Sequence, residues 1–319
     1  MKRLLHILFI SALSATVACC SPSNSENTVP VRINRLDHVL SSGQMEEVAP
    51  MHRAAQALFD VTGRGELNSS SLKDYAQSQS TLYFSAAIDS FFTSTDSIST
   101  ALGRIYHRLE KQLPDAPRYD VYAIVLPYNQ SVFFKDSMVF VGLNHYLGAD
   151  FEAYNDFPRY LRTTKTPHFL PVDLTEAAIR IGYPFHSETS YPSLLNKILY
   201  EGAVVEALMQ ICGIDEKTAL GYGYDQLSWL NENEKQAWEA LITRRLLYST
   251  VPSDLSAMIN PAPATTLLNQ EAPGRAGRFI GHRIVVSYIR NNPEVSLDFL
   301  LSPEFYMSGQ SLAKAKYMP

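Results

Sequence analysis

The chain has 319 residues, 46% hydrophobic and 18% charged, with a formal net charge of −5. That is a globular composition with enough apolar mass for a large core. Net acidity without a Lys/Arg block argues against a nucleic-acid partner, and three cysteines cannot build a disulfide framework.

Lys2 and Arg3 precede an apolar run from Leu4 to Ala15, followed by Thr16-Val17-Ala18-Cys19. A basic start, a short apolar stretch and a small-residue cleavage site read as a secretory signal over residues 1–18. The run is too short to span a bilayer comfortably. The cysteine directly after the small residues resembles a bacterial lipobox, which predicts a product beginning at Cys19 and acylated there with palmitate-type chains. Several buried acyl chains hold a protein on a membrane far more firmly than one. An ordinary secretory signal with an accidental cysteine is the alternative, and Cys20 is a second candidate. Loss of Lys2 and Arg3 takes the charge from −5 to −7. Residues 19–30, polar and bracketed by prolines, read as a flexible tether. Glu26 is the sole acid before Asp37, so the dense acidic run of some surface-exported lipoproteins is missing. That favours a periplasm-facing place in the cell envelope over surface exposure.

Residues 31–319 read as a single domain. Val31, Ile33 and Leu36 to Leu40 suggest a short strand and turn. From about 43 to 113 the pattern is helical, with segments at Ala54 to Phe59, Tyr83 to Phe92, and after the cap Ser94-Thr95-Asp96. The clearest β signal is Tyr119 to Leu126, Ser131 to Phe134 and Met138 to Val141, which predicts two or three hairpin-linked strands. Helices return at Pro158 to Arg162, Thr175 to Ile181, Tyr191 to Ile211, Tyr224 to Tyr248 and Gly274 to Arg290. The expected fold is α+β, a mainly helical body around a small, mostly antiparallel sheet.

Familiar catalytic devices are missing. No two of the eight histidines are four residues apart and none precedes a glutamate, so there is no H-E-x-x-H zinc helix. There is no zinc-spaced cysteine pair, Walker loop, G-x-S-x-G elbow or dinucleotide fingerprint. No metal and no cofactor is expected. Cys212, among Leu208, Met209 and Ile211, reads as a small buried hydrophobe.

Two features invite chemistry. On a helical wheel Glu201 falls within the apolar arc of Leu194, Ile198, Val205, Leu208 and Met209, with Glu206 nearer the other edge. A carboxylate there is costly unless paired, and Gly202 beside it admits another backbone or a ligand. The helix after Gly277 offers a seam at Gly277 and Gly281, with Arg278 and His282 at its border and Arg275 ahead of it. The expectation is a buried polar network of Glu201, Arg275, Arg278 and His282, in which Glu201 meets Arg278 or Arg275. Such a network is either a structural tie between helices or a pocket with Glu201 as acid or base. His145, just past the strands, is either a strand-end cap or a catalytic group. Tyr146, Tyr154, Tyr160 and Tyr183 are candidates for a glycan- or protein-binding face.

Several blocks, in order, resemble the gliding-motility lipoprotein GldB family of Bacteroidetes-type bacteria. They are Val141 to Asp150 (VGLNHYLGAD), Leu194 to Gly202, and Gly221-Tyr222 with Trp229, Asn231 to Glu234 and Trp238. Further on come Leu247 to Thr250, Ile259 to Pro263, Pro273 to Gly281, and the closing Lys316-Tyr317-Met318-Pro319. The family looks distantly similar to a group of zinc-peptidase-like proteins, and the helix comparable to H-E-x-x-H reads Tyr200-Glu201-Gly202-Ala203-Val204. The resemblance therefore implies a degenerate zincin-like fold that keeps the glutamate and lacks both imidazoles. It implies a non-catalytic, membrane-anchored envelope lipoprotein with envelope protein partners, in a gliding- or secretion-related assembly. The alternatives are a peptide or glycan hydrolase using Glu201 and His145, and a surface glycan-binding lipoprotein.

Overall fold

The computed structural model describes residues 28–186 and 191–319. The signal segment, Cys19 and tether residues up to 27 lie outside the described residues. Val29 and Pro30 lie against Gly103, and Val31 N–H donates to Ser99 O (3.0 Å), so the described chain begins seated on a helix.

The fold is α+β and mainly helical. Four strands, β1 (Ile33–Arg35), β2 (Asp120–Ile124), β3 (Val132–Lys135) and β4 (Met138–Gly142), form one sheet in the order β1-β2-β4-β3. The sheet is mixed, not mostly antiparallel: β1/β2 and β2/β4 are parallel, and β3/β4 alone is antiparallel. The reason lies in the strands themselves. β4 is apolar at Met138 to Val141 and buried along its whole length, which suits a central strand covered on both faces. β3 carries Lys135 and takes the edge. The two join through a two-residue turn at Asp136 and Ser137, both at positive φ as such hairpins require. The 125–131 loop carries the chain past the slot that β4 then fills. Leu36 to Leu40, expected as strand and turn, is helical, within α1 (Leu36–Ser41).

Strand side chains alternate between two layers. Tyr122, Ile124, Phe133, Met138 and Phe140 face α1, α2 (His52–Val61) and α3 (Ser69–Ala76). Val121, Ala123, Val132, Val139 and Val141 face the larger core. That core is built by α4 (Gln79–Phe91), α5 (Asp96–Gln112), α6 (Leu170–Gly182), α7 (Leu194–Cys212) and helices that follow it.

At its centre is α7, mostly apolar and buried on nearly every side, with Glu201 among its buried residues. Ser193 and Asn196 cap it reciprocally, and Gly213 ends it at φ +68°. Beyond it come α8 (Glu216–Leu220), α9 (Tyr224–Glu232), α10 (Glu234–Thr243), α11 (Pro252–Ile259) and α12 (Ala276–Asn291). The long helix expected from Tyr224 to Tyr248 is thus broken. Asn233 leaves helical geometry (φ −113°, ψ 13°), and its side chain joins its own N–H in donating to Trp229 O (2.8 and 3.0 Å). Helices α7 and α12 cross with their backbones in contact. A Cβ on Gly202 would fall on the Gly281 peptide, and one on Gly281 would fall on the Ile198 carbonyl. No helix among the described residues is long and apolar enough to cross a membrane.

Candidate functional site

The α7–α12 crossing places Glu201 next to charged groups of two other helices. Arg180 of α6 holds it in a bidentate pair, Nη1 to Oε1 at 2.9 Å and Nη2 to Oε2 at 2.6 Å. The same guanidinium reaches Glu176 one turn back, at 3.0 and 2.7 Å. Arg278 of α12, 1% exposed, lies 3.2 Å from Glu176 and 3.5 Å from Glu201. These are charge contacts without hydrogen-bond geometry, because its Nε and Nη2 donate to nothing. Two carboxylates and two guanidiniums so form a charge-neutral knot. Burial pushes both carboxyls up, but the arginines pull harder and hold Glu176 and Glu201 below the usual range.

Arg275 makes no hydrogen bond or ion pair with Glu201. It precedes α12 at φ +66°, its Nε is buried without a partner, and burial together with Arg278 lowers it to about 10. His282 also stands apart from Glu201. Its Nδ1 meets Glu216 of α8 at 2.8 Å and its Nε2 meets Glu206 of α7 at 3.0 Å. Arg283 continues this second cluster to Glu216 at 3.1 Å. Burial draws His282 down, yet the two carboxylates prevail and its pKa is raised. A raised folded-state value means stabilisation that is whole below the ordinary 6.5 and is lost as pH climbs through the folded value. His282→Gln is therefore expected to cost about 1.5–3 kcal/mol at pH 6 and markedly less at pH 9, read by denaturant titration at both.

His145 belongs to a different place. It is 3% exposed, and its Nε2 lies 3.1 Å from the Pro127 carbonyl. A carbonyl only accepts, so Nε2 carries the proton and Nδ1 offers a lone pair, which faces Lys165 Nζ at 3.4 Å. Burial and Lys165 lower His145 to about 4. Beside it the Asn144 side chain clamps Leu126 through both N–H and C=O (2.9 and 2.8 Å), closing the loop after β2. Tyr146 donates to Asp173 at 2.7 Å, and burial lifts that carboxyl to about 7. Between about pH 4 and pH 7 the native state thus keeps a proton at Asp173 that the unfolded chain has lost, so the contribution of this group falls as pH rises, while His145, lowered to about 4, contributes in the opposite direction up to about pH 6.5. Asp173→Asn still accepts from Tyr146 and is expected to leave the His145 contribution unopposed, seen as a Tm that rises more steeply from about pH 5 to pH 6.5 than in the wild type.

The structure does not bring Glu201 and His145 together: the cleft that His145 lines excludes Glu201. Tyr146 and Tyr154 are core residues with hydroxyls on Asp173 and the Asn144 carbonyl, so the four tyrosines make no common face. Cys212 is half-buried, and burial pushes its thiol to about 11. Arg180, Lys165 and Asp173 were not anticipated from sequence. One signal was available, since Asp173, Glu176 and Arg180 fall on one stripe of α6 at three- and four-residue spacing.

Among the described residues no group of three or more His, Cys, Asp or Glu is placed to hold a metal ion. The residues at the comparable zinc-helix positions do not fit zinc. Tyr200 donates to the Tyr183 carbonyl (2.8 Å), and Val204 is wholly buried. What fold and site define is a helix-dominated α+β protein organised on an internal ionic knot. The chain matches the gliding motility protein GldB family over residues 20–319, and it belongs to that family. No curated protein and no solved structure matches it.

Proposed function

We propose that the protein is a non-catalytic lipoprotein of the cell envelope, anchored through Cys19. In this reading one domain from about residue 31 serves a gliding- or secretion-related protein assembly, on the periplasmic side. Membership of a gliding-motility family supports the setting. The observation that carries the non-catalytic part is the bidentate Arg180–Glu201 pair. A general acid or base needs a pKa near the working pH and a free oxygen for substrate. Glu201 has neither, and His145 has its lone pair occupied by Lys165. A zincin-like ancestry fits the glutamate on a buried helix and rests on the sequence resemblance alone.

Four measurements test this. Cys19→Ala should move the protein from the membrane to the soluble fraction of cells; unchanged membrane retention sinks the anchor. Crosslinking in the native organism should recover envelope proteins. Peptidase or glycosidase activity that disappears in Glu201→Gln, or stoichiometric zinc in the purified protein, would overturn the non-catalytic reading.

A further inference from the structure

Strands β1, β2 and β4 run in one direction, so their carboxyl ends share one edge of the sheet. In open sheets of this kind, ligands sit in the crevice beyond those ends, between the segments that leave adjacent strands. Here the segments leaving β2 and β4 border a cleft of about 340 Å³, within the ordinary size of a small-molecule site. Tyr128, Ser131, His145, Tyr146, Lys165 and Asp173 line it, with Phe157 and Pro261 closing the apolar side.

Lys165 is the unusual group. An ammonium has three donors and no acceptor. One donor meets His145 Nδ1, and the charge rests over the rings of Tyr128, Tyr154 and Phe157 at 5.3–5.4 Å. No carboxylate lies within ion-pair distance of it among the described residues, so two donors are left for whatever enters the cleft. Asp173, also on the lining, spends one oxygen on the Tyr146 hydroxyl and keeps the other. Burial holds that carboxyl partly neutral near pH 7, so the cleft keeps net positive character from Lys165. One ammonium balances a monoanion. A dianion such as phosphate would meet Asp173 with its second charge.

We propose that this cleft binds a small ligand through a carboxylate, which Lys165 receives while Asp173 accepts from a neighbouring hydroxyl or amide N–H of the same ligand. The aromatic and proline walls cover the ligand's carbon skeleton. An acidic sugar and the carboxyl end of a peptide both present this pairing of carboxylate and donor.

Calorimetric titration of the full-length chain distinguishes them. The probes are glucuronate with glucose as its neutral partner, N-acetylglycine with its amide as neutral partner, and inorganic phosphate. At least one carboxylate should bind ten-fold or more tightly than its neutral partner and than phosphate. Tighter glucuronate points to a sugar source, and tighter N-acetylglycine to a peptide end. Lys165→Met, which keeps an apolar stem among the rings, should weaken that binding at least ten-fold. Should this variant fail to fold, the imidazole ¹⁵N shifts of His145 in the wild type read the same point: they move with the carboxylate and stay fixed with the neutral partner. Equal affinity for charged and neutral probes, preference for phosphate, unchanged binding by Lys165→Met, or fixed His145 shifts would each overturn the proposal.

Discussion

Gly281→Ala and Gly202→Ala are each expected to destabilise the protein by about 3 kcal/mol or more, seen as a lower denaturant midpoint at unchanged slope. The added methyl on Gly281 lands on the Ile198 carbonyl, and that on Gly202 lands on the carbonyl carbon and oxygen of Gly281. A crowded side chain can rotate away. A crowded peptide bond cannot, so the two helices must separate. Alanine's better helix propensity, about 0.8–1 kcal/mol, works in the opposite direction and makes the expected loss a net figure. Both substitutions force the same separation, so the double variant should cost less than the sum of the singles. Separation also reaches the charged groups, because Glu201 precedes Gly202 and His282 follows Gly281 in the chain. Gly309→Ala is the control: nothing lies within 4 Å of its added methyl and its φ is ordinary, so a change within about 0.5 kcal/mol is expected. A Gly281→Ala protein as stable as that control would show that the helix crossing is loose.

The sequence makes this crossing readable because glycine spacing is local. Gly277 and Gly281 lie one turn apart on an apolar face, and Gly202 interrupts a buried stripe. The placement of Glu201 inside that stripe is readable for the same reason. Its main partner is not, since Arg180 lies on a separate helix and is brought there by how α6 packs on α7. The position of Arg278 along α12 follows from the seam, yet which carboxylate it serves depends on Glu176, again on α6. The sheet divides in the same way. The continuous apolar run of β4 marks a strand covered on both faces, whereas β2 from Val121 to Ile124 is an equally unbroken apolar run whose division between two layers shows only in the fold. Parallel pairing with β1 rests on three residues whose partners lie 88 positions away, Ile33 on Val121, and no local pattern encodes it. Lys165 is invisible for a further reason. It sits in a short irregular segment between helices, and the rings beneath its charge come from two separate stretches of chain, Tyr128 from one and Tyr154 and Phe157 from the other.

Arg180→Met is expected to cost about 3–5 kcal/mol, more than any other single change in the ionic knot, because it strips the bidentate partner from buried Glu201 and both hydrogen bonds from half-buried Glu176 at once. Glu201→Gln, which keeps shape and an acceptor, should cost only about 1–3 kcal/mol. Replacing all four charges with apolar residues of similar volume (Glu176→Leu, Arg180→Met, Glu201→Leu and Arg278→Met together) should recover most of the Arg180→Met loss, since a removed ion pair no longer needs compensation. A swap that exchanges Glu201 and Arg180 should likewise do better than either reversal alone. The pH dependence follows from the direction of the shifts. Glu176 and Glu201 have folded-state values below their ordinary 4.5, so the stability they contribute is whole above that pH and is lost as pH falls through the folded values. Without Arg180 those folded values rise, and acid unfolding of Arg180→Met should begin at higher pH than in the wild type. The acid limb therefore separates a structural knot from a working acid–base pair. A catalytic carboxylate would show an activity that titrates near neutrality, whereas carboxylates that serve as a structural knot register in stability, below about pH 4.5. An Arg180→Met protein with wild-type stability and an unmoved acid limb would mean that Glu201 is held by something other than this guanidinium.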